Sequence, residues 1–335
     1  MAAEDFSGQA VLVTGADGFL GCWLAERLLD AGARVVVPRR DVPADSRFRA
    51  EGIDERCDLV MADVIDYESM LRVLNEYEVR AVFHLAAQTI VGKANRSPLS
   101  TWDSNVRGTY TVLEACRATE TVGKPVERVV VASSDKAYGH HDELPYREDF
   151  PLQPSYPYDV SKACTDMIAR SYALTYGLPV AVTRFANIYG GGDLNWSRVV
   201  PDCARALVNG DRPVIRSDGT PERDYLYVQD AVDAYLAIAA SLDREELRGR
   251  AWNAGWGQPL QVRELVDRLV AVSGRELEPD VQGEGSQHGE IDRQVLDATA
   301  IREELGWRPQ VELDAGLAET WRWYERHLAQ SNSDR

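Results

Sequence analysis

Short apolar runs alternate with amphipathic stretches through the first half of the chain. The run AVLVT at residues 10–14 suits a buried strand, and the stretch after it places Leu20, Leu24 and Leu28 on one helical face before Gly32. The same pattern predicts strands at 34–37, 59–61, 81–86, 129–132 and 179–185, and helices at 67–77, 101–119 and 159–176. Strands that alternate with helices are typical of a doubly wound parallel sheet.

The alternation ends after Asn187, where a glycine-rich loop begins. Beyond it the sequence predicts strands at 214–216, 223–228 and 252–255, helices at 197–210 and 231–242, and a helix-rich segment from 259 to about 327. We therefore expect an α/β fold with two units. The larger unit comprises residues 1–186 and 224–252, and the smaller, non-contiguous α/β unit comprises 187–223 and 253–330.

A glycine motif joins the first predicted strand to the first predicted helix. Gly15, Gly18 and Gly21 are spaced as GxxGxxG. Glycines let the backbone turn tightly and approach a pyrophosphate, whose charge suits a helix N-terminus. The alternative is an ordinary turn, but the strand before the motif and the helix after it favour a dinucleotide site in a Rossmann-type fold.

The end of the second predicted strand bears on the choice of dinucleotide. This fold usually has an acid there for the ribose 2′-hydroxyl, whereas this sequence has Arg39 and Arg40 before Asp41. Arginine suits a 2′-phosphate, so Arg39 favours NADP, and Asp41 keeps NAD open. Asp63, after the third predicted strand, is expected to accept a hydrogen bond from the adenine amine.

Two ionisable side chains lie at the start of the helix predicted at 159–176, with a spacing that places both on one face when the helix includes residue 158. Tyr158 and Lys162 are four residues apart, within reach of each other. An ammonium near a phenol favours the phenolate, which makes Tyr158 a candidate general base for a sugar hydroxyl. A surface tyrosine beside a solvated lysine is the alternative.

A polar cluster, Ser134-Asp135-Lys136, follows the fifth predicted strand. Open α/β sheets bind their ligands at the carboxyl ends of parallel strands. The cluster is therefore expected beside Tyr158, although a surface ion pair between Asp135 and Lys136 is the alternative. His84 lies within an apolar strand, and we interpret it as a core histidine rather than a ligand.

Composition narrows the possible partners. The 335 residues carry a formal net charge of −17, which argues against binding nucleic acid or an anionic membrane. The five cysteines are scattered without metal-type spacing, so we expect reduced thiols in a cytoplasmic protein and no metal site. The sequence shows neither an export signal at its start nor an apolar run long enough to span a membrane.

These motifs together resemble the extended short-chain dehydrogenase/reductase superfamily over nearly the whole chain. Within it, the run SSDKAYG at 133–139 is similar to the nucleotide-sugar 4,6-dehydratases, which place two ionisable residues after the hydroxyl residue. Lys136 stands where dTDP-glucose dehydratases have glutamate, so the sequence most resembles the CDP-glucose 4,6-dehydratase group. The glycine-rich loop at 186–193 also recurs there.

The resemblance implies an NAD(P)-binding domain in the larger unit and a nucleotide-sugar-binding domain in the smaller one. It implies a tightly bound cofactor and a nucleotide-diphosphate hexose as substrate. The helices at 101–119 and 159–176 commonly form a four-helix homodimer interface in similar proteins. The expected cofactor contacts are Gly15, Asp17, Gly18, Phe19, Leu20, Arg39, Asp63, Val64, Leu85, Ala86, Ala87, Tyr158 and Lys162, and the expected substrate contacts are Gln88, Asn187, Val200, Arg216 and Arg223.

The resemblance also suggests roles in catalysis. Tyr158 removes the proton of the C4 hydroxyl, Lys162 holds the phenolate and the nicotinamide ribose, and Ser134 orients the developing carbonyl. Asp135, protonated, donates to the departing C6 hydroxyl. Lys136 either removes the C5 proton or stabilises the enolate as a cation. Arg216 and Arg223 grip the diphosphate, because a guanidinium binds phosphate oxygens bidentately.

Three functions remain open at this level. The first is an NDP-hexose 4,6-dehydratase with internal hydride return, with CDP-glucose as the favoured substrate. The second is an NDP-sugar epimerase that uses the same Tyr158 and leaves Asp135 and Lys136 unexplained. The third is a cofactor-sensing protein without turnover, which would need no base.

Overall fold

Seven parallel strands form the central sheet of the computed structural model, which describes residues 4–284 and 291–333. Within these residues the sheet order is β10-β6-β5-β4-β1-β2-β3. The strands β2 and β3 lie on one side of β1, and β4 and the later strands lie on its other side. The strand order therefore reverses between β1 and β4, and such a switch point is where these sheets bind ligands. The strands of this sheet are β1 (Ala10–Thr14), β2 (Arg34–Arg39), β3 (Asp58–Met61), β4 (Ala81–His84), β5 (Arg128–Ala132), β6 (Val180–Phe185) and β10 (Ala251–Ala254).

Helices cover both faces of this sheet, because its central strands are apolar on both sides. Side chains of α1 and α9, such as Leu24 and Leu236, pack on one face. Side chains of α3, α6 and α7, such as Leu74, Leu113 and Ala169, pack on the other. The helices of the described chain are α1 (Phe19–Asp30), α2 (Arg47–Ala50), α3 (Tyr67–Glu76), α4 (Val91–Arg96), α5 (Leu99–Thr101), α6 (Gly108–Ala118), α7 (Pro157–Tyr176), α8 (Val199–Asn209), α9 (Val228–Ser241), α10 (Val262–Ser273), α11 (Thr299–Glu304) and α12 (Leu313–Ser333).

The remaining strands form two small sheets in the second half of the chain. One joins β11, β9, β13 and β7, and the other pairs β12 with β8. The helices α8, α10 and α12 pack around an apolar cluster that includes Leu207, Leu269 and Leu317. These strands are β7 (Asn187–Tyr189), β8 (Val214–Ile215), β9 (Glu222–Tyr227), β11 (Pro259–Gln261), β12 (Asp280–Val281) and β13 (Arg293–Gln294).

The division into two domains stays a proposal, and the topology refines it. The sequence predicts the segment 224–252 to lie in the larger unit. Its first residues lie in β9 of the small sheet, whereas α9 and β10 lie on the large sheet. We propose that the chain crosses between the domains where β9 meets α9, at Tyr227 and Val228.

The predicted α/β fold with a Rossmann-type sheet is confirmed, and the seven strands of the sheet begin and end within two residues of their predicted limits. The helix predicted at 101–119 contains a π-helical turn, Trp102–Arg107, before α6. Hydrophobic periodicity does not reveal such a turn, and π turns often occur at functional sites. The short helix α4 was missed because its six residues lack an apolar periodicity. No helix in the described residues is both long and apolar enough to cross a membrane.

Candidate active site

The glycine motif forms a tight cradle between β1 and α1. Gly15 has φ of +74°, and a Cβ there would lie 2.9 Å from the Ala86 backbone nitrogen. A Cβ on Gly21 would lie 2.2 Å from the Gly15 carbonyl oxygen. No side chain caps α1 at Gly18, so the backbone N–H groups of its first turn remain suited to a pyrophosphate. The cradle and the bare helix start fit a dinucleotide.

Arg39 is paired within the protein, which changes its expected role. Its Nε donates to Asp17 Oδ2 at 2.8 Å and its Nη2 donates to the other oxygen of the same carboxylate. Asp54 lies 4.0 Å away, and the Arg39 side chain is only 7 % exposed. Asp17, 22 residues earlier, already neutralises the guanidinium, which makes Arg39 less suited to a 2′-phosphate than the sequence suggests.

The end of β4 is fixed by a buried hydroxyl. Thr14 Oγ1 accepts hydrogen bonds from the backbone N–H groups of Leu85 and Ala86, both at 3.0 Å. Its own proton is then left for His84 Nδ1, 2.9 Å away. Burial, with the charge of Lys162, lowers the pKa of His84 to about 3. His84 is therefore a neutral core histidine, as predicted.

Asn105, in the π-helical turn, ties the end of β4 to α7. Its Oδ1 accepts from the Gln88 backbone N–H at 2.7 Å, and its Nδ2 donates to Ser161 Oγ at 2.8 Å. Ser161 donates in turn to the Tyr158 carbonyl oxygen at 2.6 Å. Sequence reasoning missed this positioning role, although an asparagine inside a helix was the available signal. The Gln88 side chain itself folds onto the backbone of Ile90.

Tyr158 and Lys162 both lie at the end of β5, but the lysine does not lower the pKa of the tyrosine as the sequence suggests. Lys162 Nζ donates to the Ala132 carbonyl oxygen at 2.8 Å, and burial lowers the pKa of Lys162 to about 8. Burial raises the pKa of Tyr158 to about 12, opposed chiefly by Arg198. The expectation that Lys162 lowers the pKa of Tyr158 in the protein alone is wrong, because desolvation outweighs every neighbouring charge.

Ser134 connects the polar cluster to the tyrosine. Its hydroxyl donates to Asp135 Oδ1 at 2.9 Å and is hydrogen-bonded to Tyr158. It also accepts from the Lys136 backbone N–H at 3.2 Å, which begins the helical turn at 135–138. Burial raises the pKa of Asp135, opposed by the charge of Lys136 and the Ser134 hydrogen bond. The structure thus brings together a phenol, a hydroxyl and a carboxyl whose pKa is raised by burial.

A buried ion pair holds this turn in place. Arg184 on β6 forms two hydrogen bonds with Asp166 on α7, at 2.7 and 3.0 Å. The Arg184 guanidinium also donates to the Tyr138 hydroxyl at 3.0 Å. Tyr138, two residues after Lys136, donates to Asn253 Oδ1 on β10 at 2.7 Å. The strands β6 and β10 and the helix α7 therefore together position the turn that carries Asp135 and Lys136.

Two charged residues that sequence reasoning missed lie against this cluster. Asp159 is 5 % exposed and interacts electrostatically with Lys136 and Asp135. Arg198 precedes α8 and pairs with Asp193 at 2.9 Å. It is the main charge that lowers the pKa of Tyr158. The only signal for Asp159 was its position beside Tyr158, and Arg198 lies forty residues further along the chain.

The predicted substrate residues separate into two groups. Arg223, on β9, is 7 % exposed and interacts electrostatically with Asp135. Asn187, on the neighbouring strand β7, pairs with Tyr225, which lies two residues after Arg223 on β9. Arg216 is half-exposed and pairs with Asp202 on α8, and Val200 is buried in the apolar cluster of the smaller unit. The structure therefore brings Arg223 to the cluster and gives no such contact for Arg216 or Val200.

The predicted adenine residues follow β3. Asp63 is half-buried, and its Oδ1 accepts from the Ile65 backbone N–H at 3.2 Å. A Cβ on Gly108, at the start of α6, would lie 3.0 Å from the Val64 side chain. Ala87 lies just beyond β4, three residues after His84. Asp63, Val64 and Ala87 therefore all lie beyond the carboxyl end of a strand of the large sheet.

Comparison with known proteins identifies the family. Residues 12–320 match the family model of GDP-mannose 4,6-dehydratase. The chain belongs to this family. As a GDP-mannose 4,6-dehydratase family member it is an extended short-chain dehydrogenase/reductase, as predicted. The family comprises NAD-dependent nucleotide-sugar dehydratases and epimerases.

Relatives of this family member carry two kinds of name. The CDP-glucose 4,6-dehydratase of Salmonella typhimurium is 29% identical over 337 residues, which cover 96% of this chain and 91% of that protein. The UDP-glucose 4-epimerase of Mycolicibacterium smegmatis is 34% identical over 315 residues, which cover 92% of this chain and 96% of that protein. The solved structure of dTDP-glucose 4,6-dehydratase from Streptomyces venezuelae, with NAD bound, is 31% identical with a TM-score of 0.84 and covers 96% of this chain and 98% of that one.

Proposed function

We propose that the protein is an NDP-hexose 4,6-dehydratase, which converts its substrate to an NDP-4-keto-6-deoxyhexose and water. The observation that carries this proposal is the acid beside the tyrosine. Asp135 is buried with a raised pKa and is joined through Ser134 to Tyr158. An epimerase needs no acid to expel water, whereas a dehydratase does.

The residues have distinct roles in this proposal. When bound, NAD accepts the hydride from C4 and gives it back at C6. Tyr158 takes the proton of the C4 hydroxyl in its ionised form, which the charge of Arg198 favours. The Ser134 hydroxyl turns from Asp135 to donate a hydrogen bond to the C4 oxygen. Lys162 holds its positive charge beside the end of β5, and Asp135 protonates the C6 hydroxyl as it leaves. Oxidation comes first because the 4-ketone makes the C5 proton acidic.

Product mass distinguishes the possible activities. The protein is incubated with CDP-, GDP-, UDP- and dTDP-linked glucose and with GDP-mannose. We expect one of these products to be lighter by one water. An altered sugar of unchanged mass would instead make the protein an epimerase, and unchanged substrates throughout would favour a cofactor-binding protein without turnover.

CDP-glucose is the proposed substrate within this panel. Support comes from Lys136, which follows Asp135 as in the CDP-glucose dehydratase group that the sequence resembles, and from the similarity to the Salmonella typhimurium enzyme. Epimerization is the second candidate, because the Mycolicibacterium smegmatis 4-epimerase is more identical to this chain than that dehydratase is. The five free cysteines suit a reducing compartment, so we propose a cytoplasmic location.

NAD is the proposed cofactor rather than NADP. A 2′-phosphate near Arg39 would also approach the carboxylates of Asp17 and Asp54, which oppose its charge. We expect the wild type to bind NAD at least about tenfold more tightly than NADP, a difference of about 1.4 kcal/mol. The substitution Asp17→Asn removes the charge that pairs with Arg39 and is expected to lower the ratio of the NAD affinity to the NADP affinity. Calorimetric titration of both dinucleotides measures it.

A second arginine–aspartate pair provides the control for this cofactor prediction. Asp41 pairs with Arg40 at the exposed end of the same segment. Asp41→Asn is expected to leave the ratio unchanged, because both side chains are mostly solvated. Tighter binding of NADP by the wild type would contradict the assignment.

A homodimer through α6 and α7 is also proposed. Helix α7 exposes Met167, Leu174 and Tyr176 at 61, 80 and 55 %, and α6 exposes Tyr110 at 44 %. Burying such a patch favours association. Met167→Glu with Leu174→Glu is expected to shift the sedimentation coefficient from dimer to monomer. Val42→Glu, at an exposed apolar residue far from these helices in sequence, is expected to leave it unchanged, and a monomeric wild type would refute the proposal.

A further inference from the structure

One step of the proposed dehydration has no assigned group. Loss of water across C5 and C6 needs a base for the C5 proton and an acid for the C6 hydroxyl. Asp135 is the acid. Lys136 lies beside both Asp135 and Asp159 and interacts electrostatically with each of them, a position that suits a partner for developing negative charge. A lysine that carries a proton stabilises negative charge but cannot accept another proton.

Asp159 is a second buried carboxyl beside this cluster. It is the third residue of α7, directly after Tyr158, and is 5 % exposed. The groups that face it are Lys136 and Asp135 from the turn at 135–138, with the phenols of Tyr158 and Tyr146. Among the described residues its carboxylate receives no hydrogen bond, so its lone pairs remain available to a substrate.

The two carboxyls lie in different surroundings. Asp135 is buried in the turn at 135–138, and this burial raises its pKa, whereas Asp159 lies in the first turn of a long helix, whose N-terminus favours a carboxylate. Burial raises the pKa of Asp159 only to about 6. Asp159 is therefore ionised at neutral pH, which is the form that a base requires, and the different surroundings of the two carboxyls suit a division into acid and base.

We propose that Asp159 is the base that removes the C5 proton, and that Lys136 is the cation that stabilises the enolate. This rests on the proposed dehydratase function. The C5–H bond breaks, its proton passes to Asp159, and its electron pair moves onto the C4 oxygen beside the Lys136 ammonium. The enolate then expels the C6 hydroxyl, which leaves as water with the proton of Asp135. Hydride enters at C6, C5 receives a proton from Asp159 after that carboxyl has exchanged its proton with solvent, and solvent carries the proton gained by Tyr158 back to Asp135.

Exchange of the C5 hydrogen with heavy water tests Asp159 separately from C4 oxidation. Asp159→Asn is expected to reduce the cofactor in a single turnover as the wild type does. Its C5 exchange and water loss are expected to fall by about 10²–10⁴-fold, the usual contribution of a general base. Wild-type water loss in this variant, or an equal loss of oxidation and exchange, would overturn the assignment.

Variants of Lys136 and a small acid separate the base from its neighbour. Lys136→Arg keeps the cation but cannot act as a base, so we expect it to retain more C5 exchange than Lys136→Met. Asp159→Ala is expected to regain exchange when formate is added, because formate supplies the missing carboxylate. An inactive Lys136→Arg beside an active Asp159→Asn would make Lys136 the base.

The pH dependence provides a further readout. A base works in its ionised form, so the rate of C5 exchange is expected to rise with pH through about 6, the pKa of Asp159, and to lose that rise in Asp159→Asn. If the protein is not a dehydratase, the wild type itself shows it, because it inverts C4 of the sugar without exchanging the C5 hydrogen. A wild type that dehydrates beside a fully active Asp159→Asn overturns only the role of Asp159.

Discussion

Replacing Tyr158 with phenylalanine should lower the rate of C4 oxidation by about a thousandfold, within the 10²–10⁴-fold range of general base catalysis. The substitution removes one hydroxyl, which is hydrogen-bonded to Ser134 and lies near Arg198. The ring stays, so the packing of α7 against β5 is preserved. The measurement is the absorbance of reduced nicotinamide after mixing enzyme, cofactor and sugar nucleotide in a single turnover.

Tyr176 offers a matched control on the same helix. Its side chain is 55 % exposed, and it lies at the opposite end of α7. Tyr176→Phe is expected to oxidise C4 at the wild-type rate. Both variants are expected to bind the cofactor as the wild type does. Unchanged oxidation in Tyr158→Phe would remove the tyrosine from the mechanism.

Replacing Asp135 with asparagine should stop water loss while C4 oxidation continues. An amide accepts the hydrogen bond from Ser134 but has no acidic proton for the departing hydroxyl. We expect dehydration to fall by about 10²–10⁴-fold. Reduced cofactor and the 4-keto hexose nucleotide then accumulate, which absorbance and mass spectrometry of the quenched reaction detect together.

Asp142 is the control for this substitution, because its side chain is fully exposed on the loop after the catalytic turn. Asp142→Asn is expected to dehydrate normally. If Asp135→Asn dehydrates normally as well, the acid lies elsewhere. If it loses oxidation and dehydration equally, Asp135 acts through Ser134 and Tyr158 rather than on the C6 hydroxyl.

The fold of the large sheet is predictable from the sequence because each strand is a short apolar run between turn residues. Residues 10–14 are an example, where the predicted and observed strands coincide. The smaller unit is harder, because strands such as β8 and β12 have two residues each and leave no periodicity. The π-helical turn that carries Asn105 likewise has the composition of an ordinary helix.

The site was predictable where a motif fixes local geometry and not where burial or a distant partner decides. Tyr158 and Lys162 were found by their spacing, but the pKa of the phenol depends on desolvation and on Arg198. Arg39 looked free in the sequence and is paired with Asp17. In each case the deciding interaction joins residues from different elements, whose approach only the fold determines.

The path of the C4 hydrogen distinguishes dehydration from epimerization. In a dehydratase the hydride taken from C4 is returned at C6, whereas in an epimerase it is returned at C4. Tyr158 serves either reaction, so mutation of the tyrosine alone leaves the two indistinguishable. Asp135 and Lys136 have a role in the reaction only if the C6 hydroxyl is eliminated as water.

The decisive measurement uses the sugar nucleotide that the wild type converts, labelled with deuterium at C4, in ordinary water. Nuclear magnetic resonance and mass spectrometry then locate the label in the product. We predict a 4-keto-6-deoxy product, lighter by one water, with the deuterium at C6. Deuterium retained at C4 of an inverted sugar, or a C6 hydrogen drawn from solvent, would contradict internal hydride return and the assignment as a 4,6-dehydratase.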